Sequence, residues 1–148
     1  MNGRLKIVAD SNIPFLDGVL DPYADVVYKN GKDISKDDIA DADALIIRTR
    51  TKCDADFLSG SKVTLIASAT IGFDHIDLGY CAAHGIEVHN AAGCNAGGVM
   101  QYGFSSLYGA CSHNAINLDG KVFGIIGVGG VGKRVERMAR YLGFDVLL

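Results

Sequence analysis

Residues 121–148 read KVFGIIGVGGVGKRVERMARYLGFDVLL, and this stretch decides the fold. The apolar run Lys121–Ile126 predicts a buried strand. It meets Gly127-Val128-Gly129-Gly130-Val131-Gly132, a G-x-G-x-x-G pattern. A helix follows, with Val131, Val135, Met138, Ala139 and Leu142 at helical spacing and Lys133, Arg134, Glu136, Arg137 and Arg140 turned outward. Gly143 ends it, and Phe144–Leu148 opens another strand. The glycine pattern alone is weak, but between a strand and a helix it has the setting of a Rossmann-type dinucleotide-binding turn. Gly127 would permit the tight turn, Gly129 would let the backbone approach a pyrophosphate, and Gly132 would let helix and strand pack closely. Free amides and partial positive charge at the new helix start suit the anion. A Walker A loop is excluded, because Gly132-Lys133 is followed by Arg134 rather than Ser or Thr. Lys133 therefore reads as a solvated helix residue.

Upstream, apolar runs alternate with short helical stretches. Strands are expected at Leu5–Ala9, Asp25–Tyr28, Ala44–Ile47, Thr64–Ala69 and Ile86–His89. Between them, Ile13–Leu20 reads as a short amphipathic stretch after a turn at Asp10-Ser11-Asn12. Lys36–Ala40 reads as a helical turn whose first amides the Ser35 hydroxyl can cap. Asp54–Leu58 is another helical turn, and His75–His84, opened by Asp74, runs to Gly85. This is the β-α repetition of a parallel sheet wound on both faces, an α/β fold of flavodoxin-like type.

A small, Gly-rich segment, Asn90–Gly98, separates that unit from a longer helix at about 99–112. On that helix Met100, Phe104, Leu107, Tyr108 and Cys111 form one stripe. The stripe suits either the core of its own domain or a partner subunit. Gly103 inside it points to close packing against another helix. The expected organisation is a substrate-side domain over residues 1–95, then residues 96–148 as an interdomain helix and the first β-α-β of a dinucleotide-binding domain.

The 148 residues are 49% hydrophobic and 21% charged, a globular balance that excludes disorder. A net charge of −3 gives no basic footprint for nucleic acid. No apolar run is long enough for a membrane span. Met1–Asp10 is a short apolar run ending in an acid rather than a signal peptide, and the four dispersed cysteines show no zinc-finger or disulfide spacing. The expectation is a cytoplasmic protein with reduced thiols and no metal.

Three further segments carry a resemblance. They are Ala40–Lys52 (ADADALIIRTRTK), Ser68–Asp77 (SATIGFDHID) with Gly85-Ile86 after it, and Gly93-Cys94-Asn95-Ala96 leading to Tyr102, Phe104, Ser105 and Ser106. Together with the glycine fingerprint, they resemble the front portion of the D-2-hydroxyacid dehydrogenases. The Gly-Cys-Asn segment is most similar to the branch that oxidises 4-phospho-D-erythronate. The resemblance implies NAD as cofactor, touched by Gly127, Gly129, Gly130, Val131 and Gly132. It implies a phosphorylated 2-hydroxy acid as substrate, contacted by Thr49 and Thr70, with Arg48 as a further anion contact or a structural ion pair. It also implies a homodimer formed through the helix near 99–112.

The family's catalytic Arg, Glu and His fall beyond the dinucleotide-binding strand, so no catalytic residue is expected among these 148. The acid that would hold the ribose hydroxyls, and so separate NAD from NADP, falls past Leu148; Asp145 reads as a surface residue. His84, His89 and His113 read as surface ends of elements, with His75 in the turn signature. Cys94 reads as a small buried residue rather than a nucleophile. Two alternatives stay open: a relative acting on another acid such as 3-phosphoglycerate, and a non-catalytic NAD-sensing module on the same fold.

Overall fold

The computed structural model describes residues 3–148; Met1 and Asn2, which begin the run weighed as a signal peptide, lie outside the described residues. The chain divides into two compact units, one ending at Ala92 and one beginning at Gly93.

The first unit contains β1 (Leu5–Asp10), β2 (Ala24–Lys29), α1 (Lys36–Ile39), β3 (Ala44–Ile47), α2 (Ala55–Leu58), β4 (Leu65–Ser68), α3 (Leu78–Ala83) and β5 (Glu87–Asn90). All five strands are parallel, in the order β2-β1-β3-β4-β5. This is the expected flavodoxin-like sheet. Val8, Leu45, Ile47 and Ile66 from the three central strands form its core, with Ile39, Leu58 and Cys81 supplied by the helices. Because every strand runs the same way, Asp10, Lys29, Ile47, Ser68 and Asn90 all end at one edge. The chain leaves β1 for β2 on one side and then crosses to β3 on the other. The crevice outside the carboxyl ends of β1 and β3 is therefore the switch point where open α/β sheets bind ligands.

Two local expectations are corrected. Ile13–Leu20 forms turns, not a helix, with the amides of Ile13, Leu16 and Val19 each bonding three residues back. Pro14 offers no amide and disfavours helical backbone at Ile13, and so short a segment cannot repay helix nucleation. Secondly, α3 begins at Leu78 rather than His75. The extended bridge Cys53↔Ile76 holds the preceding turn, and the Asp77 carboxylate, not that of Asp74, accepts the Tyr80 amide at 2.9 Å. At α1 Ser35 and Asp38 form a reciprocal capping box: the Ser35 side chain accepts from the Asp38 amide, and the Asp38 carboxylate accepts from the Ser35 amide (2.8 Å) and the Ser35 hydroxyl (2.7 Å). The Asp54 cap of α2 is as read, accepting the Phe57 amide at 2.9 Å.

The second unit holds α4 (Ala96–His113), β6 (Val122–Gly124), α5 (Gly132–Tyr141) and β7 (Asp145–Leu147), with β6 and β7 parallel. Phe104 of α4, Ala139 of α5 and Phe144 make its core, and Met100, Leu107, Phe123, Val135 and Met138 pack around them. Most of the α4 stripe thus serves its own unit, while Tyr108 stays 43% exposed. The helix starts three residues before Val99, running through Gly97 and Gly98 from the buried anchor Ala96. Among the described residues no neighbour lies within 4 Å of where a Gly103 side chain would sit. β6 ends at Gly124, two residues short of the apolar run, although the Ile125 amide still bonds to the Leu147 carbonyl. Among the described residues no helix is long and apolar enough to cross a membrane.

Candidate functional site

At the switch-point edge of the first unit, Asp10 is fully buried at the end of β1. One carboxylate oxygen accepts the Asn12 amide at 2.9 Å and the Asn12 side-chain nitrogen at 3.3 Å. The other accepts Nε of Arg48, just past β3, at 2.9 Å. Burial pushes the Asp10 carboxyl up, but the Asn12 amide and the Arg48 guanidinium more than offset this and hold it below the ordinary carboxylate value. Asn12, Asn30, Lys32, Arg48 and Arg50 line an open pocket of about 440 Å³ here. Lys32 and Arg50 form no ion pair with a carboxylate among the described residues, so the pocket is cationic. Its cations and amides suit a phosphate or carboxylate.

Thr49 and Thr70 stand along the same edge. Ile47 pairs with Ser68, and each threonine lies two residues beyond its partner in that pair. Thr49 is exposed in the turn after β3. Thr70 is half-buried, its Oγ1 2.8 Å from the buried Ser68 Oγ, which in turn lies 3.3 Å from His75 Nε2. Burial pushes the His75 imidazole below its ordinary value, with nearby Asp74 acting the other way. The His75 carbonyl accepts the Cys53 amide at 2.8 Å and the Cys53 carbonyl accepts the Asp77 amide at 2.9 Å, which fixes this turn against its neighbour.

Sequence reading singled out Thr49, Thr70 and Arg48, which the fold brings to this edge; it did not single out Asp10, Asn12, Lys32, Arg50 or Ser68, nor the hydrogen bond of His75. The legible signal was an acid closing the apolar strand 5–10. A charge at that position is exposed or paired, and only the sheet order shows that its partner is Arg48.

In the second unit, Gly127 has φ +89° and makes the turn out of β6. The Gly129 carbonyl accepts the Lys133 amide at 3.0 Å, and the Val131 carbonyl accepts those of Arg134 and Val135. The amides of Gly129–Gly132 have no such backbone acceptor among the described residues. Nothing lies within 4 Å of where a Gly129 side chain would sit, leaving its backbone open to approach. Gly127, Gly129 and Gly130 are exposed, Val131 is half-buried and Gly132 is buried. These free amides and the open backbone fit a pyrophosphate.

His84, His89, His113, Lys133 and Asp145 are exposed, as read. Cys94 is also exposed, which corrects its reading as a buried residue; it precedes α4 and points away from the core that Ala96 enters. Among the described residues no group of three or more His, Cys, Asp or Glu side chains is placed to hold a metal ion.

A doubly wound sheet with a hydroxyl- and cation-lined edge, followed by a dinucleotide-type turn, defines the class. The family model for the catalytic domain of the D-isomer specific 2-hydroxyacid dehydrogenases matches residues 6–117, and the chain belongs to that family. Among curated relatives, it is 48% identical over 145 residues to an erythronate-4-phosphate dehydrogenase of Bacteroides fragilis (strain YCH46), covering 97% of this chain and 42% of that protein. A Pseudomonas putida erythronate-4-phosphate dehydrogenase is 39% identical over 144 residues, 97% of this chain and 38% of that protein. The chain thus spans about two fifths of the length of these relatives. Among solved structures, it resembles an NAD-bound 3-phosphoglycerate dehydrogenase of Entamoeba histolytica, with a TM-score of 0.71 and 30% identity, covering 97% of this chain and 53% of that one. A D-lactate dehydrogenase of Aquifex aeolicus, solved with NAD and lactic acid, shares the fold with a TM-score of 0.71 at 21% identity, over 95% of this chain and 50% of that one.

Proposed function

We propose that this chain is the substrate-side domain and the opening of the dinucleotide-binding domain of an NAD-dependent dehydrogenase that oxidises 4-phospho-D-erythronate to its 2-oxo acid. The observation that carries the reading is a cationic pocket at the sheet switch point of a chain 48% identical to an erythronate-4-phosphate dehydrogenase. In this reading residues 1–95 bind the substrate and residues 96–148 begin the cofactor domain.

The chemistry asked of these residues is binding and orientation. Arg48, Arg50 and Lys32 hold an oxyanion of the substrate, while the hydroxyls of Thr49 and Thr70 bond its oxygens without adding charge. Gly127, Gly129, Gly130, Val131 and Gly132 cradle the pyrophosphate of NAD on free amides. Bound NAD supplies a nicotinamide ring that accepts hydride from C2 of the hydroxy acid. A homodimer through α4 completes the reading, supported by Val99, Tyr102 and Tyr108, which stand 44%, 75% and 43% exposed on that helix.

The test uses the protein expressed from its gene with whatever coding sequence follows Leu148. NADH formation at 340 nm with 4-phospho-D-erythronate, well above that with 3-phosphoglycerate, supports the assignment. Preference for 3-phosphoglycerate moves it to that relative, and NAD binding without turnover of any 2-hydroxy acid moves it to a sensing module. The 148-residue chain alone is expected to show no turnover.

A further inference from the structure

The Asp10–Arg48 pair is built with more care than an incidental ion pair requires. Asp10 is fully buried, and Arg48 reaches it through Nε alone, at 2.9 Å. Pairing through Nε uses one edge of the guanidinium and leaves both terminal nitrogens free. No other hydrogen bond is made by the Arg48 side chain among the described residues. The side chain keeps 33% of its surface exposed and forms part of the cationic pocket wall. The terminal nitrogens are thus available to a planar or tetrahedral oxyanion, for which a guanidinium offers two parallel donors.

The carboxylate is itself confined. Asn12 occupies Oδ1 through its backbone and side-chain nitrogens. On the other side the backbone of Gly31 presses so close that a Cβ there would lie 2.6 Å from Oδ2 and 3.0 Å from Cγ. Gly31 is in turn anchored by the buried Thr51, whose hydroxyl donates to its carbonyl at 2.8 Å. Three residues from three different chain segments, Asn12, Gly31 and Thr51, therefore confine one carboxylate, and that carboxylate sets one arginine.

We propose that Asp10 is a positioning residue: buried and clamped by Asn12 and Gly31, it holds Arg48 by Nε so that the terminal guanidinium nitrogens face the pocket and receive an oxyanion of the substrate. The proposal rests on the reading of this pocket as the substrate's anion site. The oxyanion is the phosphate or the carboxylate of the same acid, and the chemistry of the receptor is the same for both.

The test follows the Arg48 Nε–H resonance by NMR in the 148-residue chain during titration with 4-phospho-D-erythronate, inorganic phosphate and unphosphorylated D-erythronate. Displacement of the bound acid by inorganic phosphate assigns the phosphate end, and displacement by D-erythronate assigns the carboxylate end. Two variants separate positioning from folding. Asp10→Asn removes the charge with little change of shape. Gly31→Ala leaves every charge in place and pushes on Oδ2. Both are expected to alter the Arg48 Nε–H signal and to weaken phosphate-ester binding by about tenfold or more, approaching the loss in Arg48→Ala. Thermal unfolding of each variant checks that it is folded. Folded Asp10→Asn or Gly31→Ala protein with wild-type affinity overturns the positioning role and leaves the pocket assignment standing. Wild-type protein that binds none of the three anions overturns the pocket assignment, and the proposal with it.

Discussion

Gly127 and Gly132 face each other across the turn between β6 and α5: a Cβ on Gly132 would sit far inside van der Waals contact with the Gly127 carbonyl oxygen and 3.7 Å from Ile125 Cγ2. The close approach assigned to Gly132 is therefore real, and much of it is to the turn itself, with Ile125 beyond. Gly129, three residues earlier, has nothing within 4 Å in the same test. The two glycines are required for different reasons.

Their substitutions should separate accordingly. Gly132→Ala should destabilise the second unit by about 1–3 kcal/mol, as overpacking does, visible as a lower unfolding midpoint. Gly129→Ala should leave that midpoint nearly unchanged and weaken NAD binding, measured by calorimetry on the protein expressed with its downstream sequence. An equal loss of stability in both would show that the glycine pattern serves only the packing of the turn.

Thr70→Val removes a hydroxyl 2.8 Å from Ser68 Oγ while keeping the shape. The expected result is a several-fold rise in KM for the phosphorylated hydroxy acid with little change in NAD affinity. Ser68 retains His75 as a partner, so the cost in stability should stay near 1 kcal/mol. Parallel losses for acid and cofactor would argue against Thr70 as a substrate contact.

The imidazole of His75 should make the first unit sensitive to mild acid. Its folded value lies below the ordinary 6.5, so the unfolded chain takes up the proton first as pH falls. Stability from this group is complete above about 6.5 and is lost as pH falls from there through the folded value. Urea unfolding between pH 8 and pH 5 should show the decline, and His75→Gln should flatten it.

Asp38 acts in the same sense but in a more acid window. Lys29 bonds it at 2.8 Å through both oxygens, and with the Ser35 donors this brings its value down to about 2. The stabilisation is present above the ordinary 3.8 and is lost as pH falls through about 2. Asp38→Asn should reduce stability at pH 7 and make the acid limb of the profile shallower.

The four thiols should react very unequally. Cys53, Cys81 and Cys111 are buried, and burial pushes the Cys53 thiol up to about 12, whereas Cys94 is exposed. A chromogenic disulfide reagent at pH 8 should label one cysteine rapidly and three only on unfolding. Cys94→Ser should abolish the fast phase.

The order of strands and helices, the sheet type and the glycine turn were legible along the chain, because they depend on local patterns: apolar runs of four to six residues, acids or serines at helix starts, and G-x-G-x-x-G between a strand and a helix. Local pattern misplaced Ile13–Leu20, where Pro14 outweighs amphipathic spacing, and the start of α3, where Cys53 holds Ile76 extended from 23 positions away. The candidate site was only half legible. Thr49, Thr70 and Arg48 were singled out by motif. Asp10 carried no motif, and its worth depends on β1 lying beside β3 and on Gly31 closing over it from beyond β2. By itself the sequence determined the family, the doubly wound fold and the glycine turn between strand and helix. Only the tertiary structure decided which buried acid holds which arginine and which hydroxyls share a proton network, since a hydrogen bond depends on positions in space that residues 38 apart reach only when the sheet is assembled.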